Sequence, residues 1–161
     1  MKLFKNRVTA IWAEHESTRA IGYKNRLPWK KCQLDLDILT GVISNMDRLV
    51  VTRNTYGDLP MSFISKHNLD VVSSEYPIEE YLRSVEKSNI LVLGGRLLYQ
   101  HCINNNLLNS IIVNTISFAD DITIEYDTTA PLISDNYKAI GQRKISDSSC
   151  SIITSIYQAA P

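Results

Sequence analysis

A prevailing sign of charge, paired cysteines and long apolar runs are all missing from this chain, and each absence closes off a class of function. Seventeen basic residues are balanced by seventeen acidic ones, so the overall field offers no general attraction to nucleic acid or to an anionic membrane. Any anionic ligand has to be held by local charges. The three cysteines, Cys32, Cys102 and Cys150, are odd in number, contain no C-x-x-C pair and are widely scattered, which argues against a disulfide framework or a zinc site. That usage suits a reducing compartment, and a cytoplasmic, soluble protein is expected. Met1 to Arg7 is too polar for a signal peptide, and no apolar run approaches membrane-spanning length. His15 and His101 have no Cys or carboxylate at metal-ligand spacing, so hydrogen-bonded or solvated imidazoles are expected and no metal centre. A Ser/His/Asp set and a G-x-S-x-G elbow are likewise absent, which removes the usual grounds for nucleophilic catalysis. Trp12 and Trp29 read better as pocket or core aromatics than as stacking platforms for single strands. Internal repeats, low-complexity tracts and linkers are not found.

What is present is enough apolar residue for one core. A chain of 161 residues that is 44% hydrophobic fits a single domain spanning 1–161, stable without crosslinks. Val8 to Trp12 reads as a strand and Glu14 to Asn25 as a polar loop. A helix around Asp35 follows, and then a β-branched strand from Arg48 to Thr52. Asn68 to Ser73 is a short strand, Tyr76 to Val85 an amphipathic helix, Ile90 to Leu93 a strand and Leu97 to Ile103 a helix, with Asn104-Asn105-Asn106 suited to its end. Such alternation favours an α/β fold with parallel crossovers. Beyond Ile111 the pattern changes to strands without long helices, over Ile111 to Ile116, Ile122 to Tyr126, Tyr137 to Ile140 and Ser151 to Tyr157. The expected architecture is a mostly parallel central sheet, flanked by helices, with an antiparallel C-terminal extension.

Three stretches carry possible chemistry. Pro28 fixes its own φ and pushes Leu27 into an extended conformation, so a turn at Leu27-Pro28-Trp29 precedes the helix. Within that helix Leu34, Ile38, Leu39 and Val42 define one buried face; Asp35 sits on its border and Asp37 points away. Asp35 is therefore the carboxylate expected to be shielded, although a first-turn acid favoured by the helix dipole, by about 0.3–1 kcal/mol, accounts for it equally well. Ile90 to Leu93 runs into Gly94-Gly95-Arg96 and a helix. Glycines allow close backbone approach to a phosphate, and a helix N-terminus supplies free N–H donors. The full G-x-G-x-x-G pattern is lacking, and a plain strand-to-helix turn explains the same residues. Lastly, Arg53 leaves a strand end with Thr55 placed to help start a helix; that arginine suits bidentate phosphate binding or simple solvation.

In order and at these intervals the pieces resemble dihydrofolate reductase over most of the chain. The likeness is densest at Ile21-Gly22 through Asn25, at Leu27-Pro28-Trp29 with Asp35, at Arg53 to Tyr56, and at Val92 to Gly95 with Tyr99. The resemblance implies a dihydrofolate-reductase-like fold that reduces 7,8-dihydrofolate with NADPH. Asp35 would bind the amidine-like edge of the pterin and assist protonation of N5 while hydride goes to C6; burial would raise its pKa. Ile11, Trp12, Ala13, Leu27 and Leu36 would line the pterin and benzoyl pocket, together with Leu39, Leu59, Ile64 and Leu93. Most of these read equally well as core. Ala13, Ile21, Gly22 and Asn25 would border the nicotinamide within a mobile loop. Leu93, Gly94, Gly95, Arg96, Leu97 and Leu98 would cradle the pyrophosphate, with Tyr99 beside the nicotinamide and a cis Gly94–Gly95 peptide. Arg53, with Asn54 and Thr55, and the pair Ser73-Ser74 would face the 2′-phosphate. The partners implied are small molecules, with neither nucleic acid nor membrane, and a monomer is expected.

The chain departs from the family pattern in four places. Thr52 stands where a glycine usually precedes the arginine, which adds a Cβ near the cofactor. Ser65-Lys66-His67 replaces the segment that supplies an arginine for the substrate's glutamate carboxylate, leaving Lys66 or His67 as the nearest cation. Asn114 takes the place of the threonine that bridges acid to pterin, and Arg96 comes earlier than the arginine that often opens the following helix. These departures keep two other readings open: a reductase of another pterin or of a pyrimidine on the same fold, and a structural or protein-binding homologue with weak or no catalysis.

Overall fold

Apolar period decides the order of elements. The computed structural model describes residues 5–24, 26–29, 32–59, 61–120 and 123–161. Along them run β1 (Arg7–His15), β2 (Ala20–Gly22), α1 (Gln33–Ile43), β3 (Arg48–Thr52), α2 (Arg53–Asp58), α3 (Met61–Lys66) and β4 (Leu69–Val72). There follow α4 (Ile78–Ser84), β5 (Asn89–Gly94), α5 (Arg96–Asn104), β6 (Ser110–Phe118), β7 (Thr128–Thr129), β8 (Tyr137–Ser146) and β9 (Cys150–Ala159).

Seven strands form one sheet in the order β4-β3-β5-β1-β6-β9-β8. Pairings from β4 through to β6 are parallel, and those of β9 with β6 and with β8 are antiparallel. This is the mixed sheet expected from the sequence. Central strands are apolar on both faces because both are covered. On one face Val8, Ala10, Trp12, Val50, Ile90 and Val92 pack against Ile78, Tyr81 and Leu82 of α4 and Leu98, Tyr99, Cys102 and Ile103 of α5. On the other, Ile11, Leu49 and Leu91 meet Leu39, Val42 and Ile43 of α1 and Phe63 of α3. That second layer continues through Trp29, Cys32, Ile116, Cys150 and Ile152, against Leu34 and Ile38. At the open edge, β8 is exposed from Lys138 to Lys144, and its charged side chains discourage further strand pairing.

Some sequence expectations need correction. The stripe on α1 is the right one, but none of its residues is fully buried, since α1 covers only part of its sheet face. The loop expected from Glu14 to Asn25 begins later, because β1 runs to His15, and it contains β2; Asn25 itself lies outside the described residues. No strand forms over 123–126, and Ile122 lies outside the described residues. Apolar and polar residues alternate there as in a strand, yet Ile124 packs inward while Tyr126 is exposed, contrary to the shared face a strand would give them, and the pairing falls to β7, antiparallel to β2. Helix α3 was not expected: it is one short segment whose Met61 is exposed. The helix end at the asparagines is as read, with Asn105 capping α5 and Asn106 at φ 54°. His15 bonds to the Ser17 and Thr18 hydroxyls, and His101 to Glu79.

Leu91 is fully buried where β5 leads into the paired glycines. Leu91→Ala is expected to lower stability by about 2–5 kcal/mol, read as a drop in urea midpoint at unchanged slope; a loss below about 1 kcal/mol would contradict this packing.

Candidate functional site

Connectivity places a crevice before any side chain does. The connection leaving β1 runs to β3, while that leaving β5 runs to β6 on the other side of β1. The two leave in opposite senses, so a crevice opens at the carboxyl ends of β1 and β5, where ligands bind in open α/β sheets. Thr52, Val72 and Gly94, the last residues of three parallel strands, all emerge at this edge. Val50 pairs with Val92 and Val51 with Gly94, which leaves Leu93 as an extra residue bulging at the rim.

Next to that bulge, the Gly94–Gly95 peptide is cis and Gly94 sits at φ +130°, a conformation that side chains rarely adopt. A Cβ on Gly95 would come within 3.1 Å of Thr55 Oγ1, and one on Gly94 within 3.4 Å of the Tyr99 hydroxyl. Gly94 is thus required by its backbone conformation and Gly95 by its close approach to Thr55. The Gly95 N–H donates to Thr52 Oγ1 at 3.3 Å, and the Thr52 hydroxyl donates to Thr55 Oγ1 at 3.2 Å. Thr52 therefore turns its side chain toward the glycines and braces them. Helix α5 starts here: the Tyr99 amide bonds Gly95 O at 3.0 Å, and the amides of Arg96, Leu97 and Leu98 lie outside the helical ladder. The Leu98 side chain is buried, so only its backbone can meet a ligand; Leu97 is exposed, and Arg96 donates to Thr129 O at 3.2 Å. Tyr99 donates to Ile11 O at 2.6 Å and its ring lies 5.0 Å from that of Trp12. This bond ties α5 to β1 across the crevice floor.

Asp35 lies in the first turn of α1, the helix on the sheet face opposite α5. Its carboxyl is pushed up to about 6, and burial is the cause, with no charged neighbour among the described residues contributing. Leu34, Ile38 and Leu39 flank it, and Ile11, Leu39 and Leu93 share one apolar cluster. Strand alternation sends Ile11 and Ala13 to this side and Trp12 to the other, against Tyr99, so Trp12 lines the α5 side rather than the wall beneath α1. Register puts Asn114 beside Ala13, between Ile112 and Ile116, on the face that α1 covers. Asn114 is buried and its Oδ1 accepts a 2.7 Å bond from Thr154. Trp29 is buried as well, with its Nε1 donor unpartnered among the described residues. A ligand acceptor placed there would satisfy it. Leu27 and Leu36 are exposed, and Leu59 and Ile64 are half-buried.

The loop residues Ile21 and Gly22 are held by a network that sequence reasoning missed. Trp12 Nε1 donates to Glu14 at 3.0 Å, Arg19 Nε bonds the other Glu14 oxygen at 3.1 Å, and Arg19 reaches Pro131 O at 2.9 Å. The spacing of Trp12 and Glu14, two apart on one strand, is the signal that places both on one face. Around Arg53 the structure brings Ser73 and Ser74 close, together with an acid that was overlooked. The Glu75 carboxyl is held below its ordinary range first by the Ser73 hydroxyl, and further by Arg53. Its adjacency to the serines was visible in the sequence. Lys66 and His67 lie in a separate place, at cavities lined by Ile43, Ser44 and Met46 and by Arg48, Tyr56 and Ile64, with the His67 ring 4.5 Å from Phe63. Neither cavity includes Asp35 or the glycines. Among the described residues no cluster of His, Cys, Asp and Glu is fit to hold a metal ion, and no helix is long and apolar enough to cross a membrane.

A raised carboxyl has a measurable sign. The unfolded chain gives up the Asp35 proton near 3.8 and the folded chain near 6, so between those values the unfolded state binds fewer protons and stability falls as pH rises. Asp35→Asn is expected to be more stable than the native protein at pH 7, by on the order of 1–3 kcal/mol, with the gap closing below about pH 4. Urea unfolding at both pH values checks this, and a gap independent of pH would refute the shielding.

No protein-family model matches the chain. In sequence it is similar to a dihydrofolate reductase of Candida albicans, 25% identical over 146 residues that cover 77% of this chain and 76% of that one. In structure it is similar to a dihydrofolate reductase of Enterococcus faecalis, solved with NADP(H) and RAB-propyl, at a TM-score of 0.76 and 20% identity over 98% of this chain and 99% of that one. The protein has the dihydrofolate reductase fold and is similar in sequence to that enzyme.

Proposed function

We propose that this protein is an NADPH-dependent reductase that converts 7,8-dihydrofolate to 5,6,7,8-tetrahydrofolate, a soluble, monomeric cytoplasmic enzyme of one-carbon metabolism. The observation that carries the reading is Asp35: a lone carboxyl, raised to about 6 by burial, on an apolar wall at the crevice whose other side is the Gly94–Gly95 turn. A raised carboxyl surrounded by leucine and isoleucine suits an uncharged ring that must receive a proton.

The residues present fit the cofactor. Gly94 and Gly95 carry the chain through a turn open only to glycine, without side chains between backbone and ligand, and the first-turn amides of Arg96, Leu97 and Leu98 suit a pyrophosphate. Tyr99 and Ile11 would border the nicotinamide with Ala13, Ile21 and Gly22. Arg53, with Asn54, Thr55, Ser73 and Ser74, would hold the 2′-phosphate. When bound, NADPH supplies the hydride that pterin C6 accepts.

On the substrate side, Asp35 would hold the amidine-like edge of the pterin and keep a proton available for N5. Ile11, Leu39 and Leu93 would exclude water from that proton, while Trp29 Nε1 and Asn114 supply polar contacts at the ring's margin. Lys66 and His67 would meet the glutamate tail. Their replacement of an arginine favours one second reading, reduction of a pterin that carries no glutamate, and the two substrates discriminate it directly.

Mixing protein, NADPH and dihydrofolate should give loss of cofactor absorbance, and Asp35→Asn should slow the hydride step on the order of 10²–10⁴-fold. In single turnovers the native rate should be level below about pH 6 and fall above it as Asp35 loses its proton. Reduction of a simple dihydropterin alone would support the second reading, and no oxidation with either would remove the reductase assignment. Glu75 generates a further expectation, because its charge opposes a phosphate held by Arg53. Glu75→Gln should tighten NADPH by roughly 2–5-fold and leave NADH unchanged, while Arg53→Ala should weaken NADPH selectively; equal effects on both cofactors would contradict this placement.

A further inference from the structure

Cys32 and Cys150 are 118 positions apart in the chain, yet their sulfurs meet at 2.7 Å. Both are buried free thiols in one cluster with Trp29, Ile116 and Ile152. Each is fixed at the end of an element. Cys32 is the residue that leads into α1, three before Asp35 and three after Trp29. Cys150 opens β9, where its amide bonds Asp147 Oδ1 at 2.9 Å and its carbonyl accepts the Asp147 amide at 2.9 Å. Bridging them therefore asks for little movement, since a disulfide places its sulfurs about 2.03–2.05 Å apart. The remaining cysteine, Cys102, lies in the other apolar layer, beneath α5.

We propose that Cys32 and Cys150 are a redox modification site, closed by a hydroperoxide to an intramolecular disulfide that pins the Asp35 wall to β9. Cys32, the slightly more accessible of the two, attacks one peroxide oxygen; the O–O bond breaks, water leaves and Cys32 becomes a sulfenic acid. Cys150 sulfur then attacks the sulfenic sulfur. The S–S bond forms, the S–O bond breaks, and the departing hydroxide takes the Cys150 proton to leave as a second water. Two thiols are oxidised by two electrons and one hydrogen peroxide is reduced to two waters. The crosslink joins the turn that carries Trp29 and the start of α1 to the antiparallel half of the sheet. Within α1 itself, this wall rests on half-buried side chains.

The test is peptide mapping of the native protein after hydrogen peroxide treatment, with thiols alkylated in denaturant before digestion. The expected result is one crosslinked pair containing Cys32 and Cys150, reversible by dithiothreitol, with Cys102 alkylated. The oxidised protein should melt at a higher temperature than the reduced one, and Cys150→Ala should lose both the crosslink and that increase. Alkylation of all three cysteines after treatment would overturn the proposal, as would a crosslink through Cys102, a crosslink between chains, or oxidation that stops at separate sulfinic acids. Because mapping uses the native chain and reads no catalysis, it stands whether or not the reductase reading does.

Discussion

Burial of one carboxyl with no compensating charge among the described residues is the constraint on which the rest of this structure turns. An ionised Asp35 on an apolar wall is costly, and the protein meets that cost by letting the group keep its proton to about pH 6. Nothing in α1 requires an acid there for helix formation alone. A first-turn aspartate stabilised only by the helix dipole would have its pKa lowered, not raised. The direction of the shift thus separates the two meanings that the sequence left open for Asp35, because a dipole and a desolvating wall move a carboxyl in opposite senses.

The remaining site residues follow from the sheet. Divergence of the connections that leave the parallel strands β1 and β5 opens the crevice, the bulge at Leu93 ends β5, and Thr52 and Thr55 brace the glycines from the neighbouring strand and helix. Tyr99 and Trp12 close the floor from the α5 side. The Asp35 wall and the glycine turn come from different segments, but both hang on β1, and one strand carries Ile11 and Ala13 toward the former and Trp12 toward the latter.

Period and turn chemistry made much of this legible. Apolar runs at β3 and β5, the stripe on α1, the paired glycines and the asparagine cap all read directly, because each is a local signal. What failed was non-local. Ile122 to Tyr126 alternates apolar and polar like a strand, but whether a strand forms depends on a neighbour to pair with, and that neighbour, β2, lies beside Thr128 instead. Likewise Glu14 gains its meaning only from Trp12 and Arg19, and Glu75 only from Arg53. The cysteines show the limit most plainly. Scattered positions argued against pairing, yet the crossing of α1 over β9 brings two of them together, and sequence separation carries no information about that crossing.

Titration of the Asp35 γ-carboxyl by ¹³C NMR, with Asp35→Asn to assign the resonance, tests the shielded acid most directly. The account predicts a midpoint near 6 in the protein without ligands. A midpoint at or below about 4, the ordinary range for aspartate, would contradict it and leave Asp35 as a helix-capping charge.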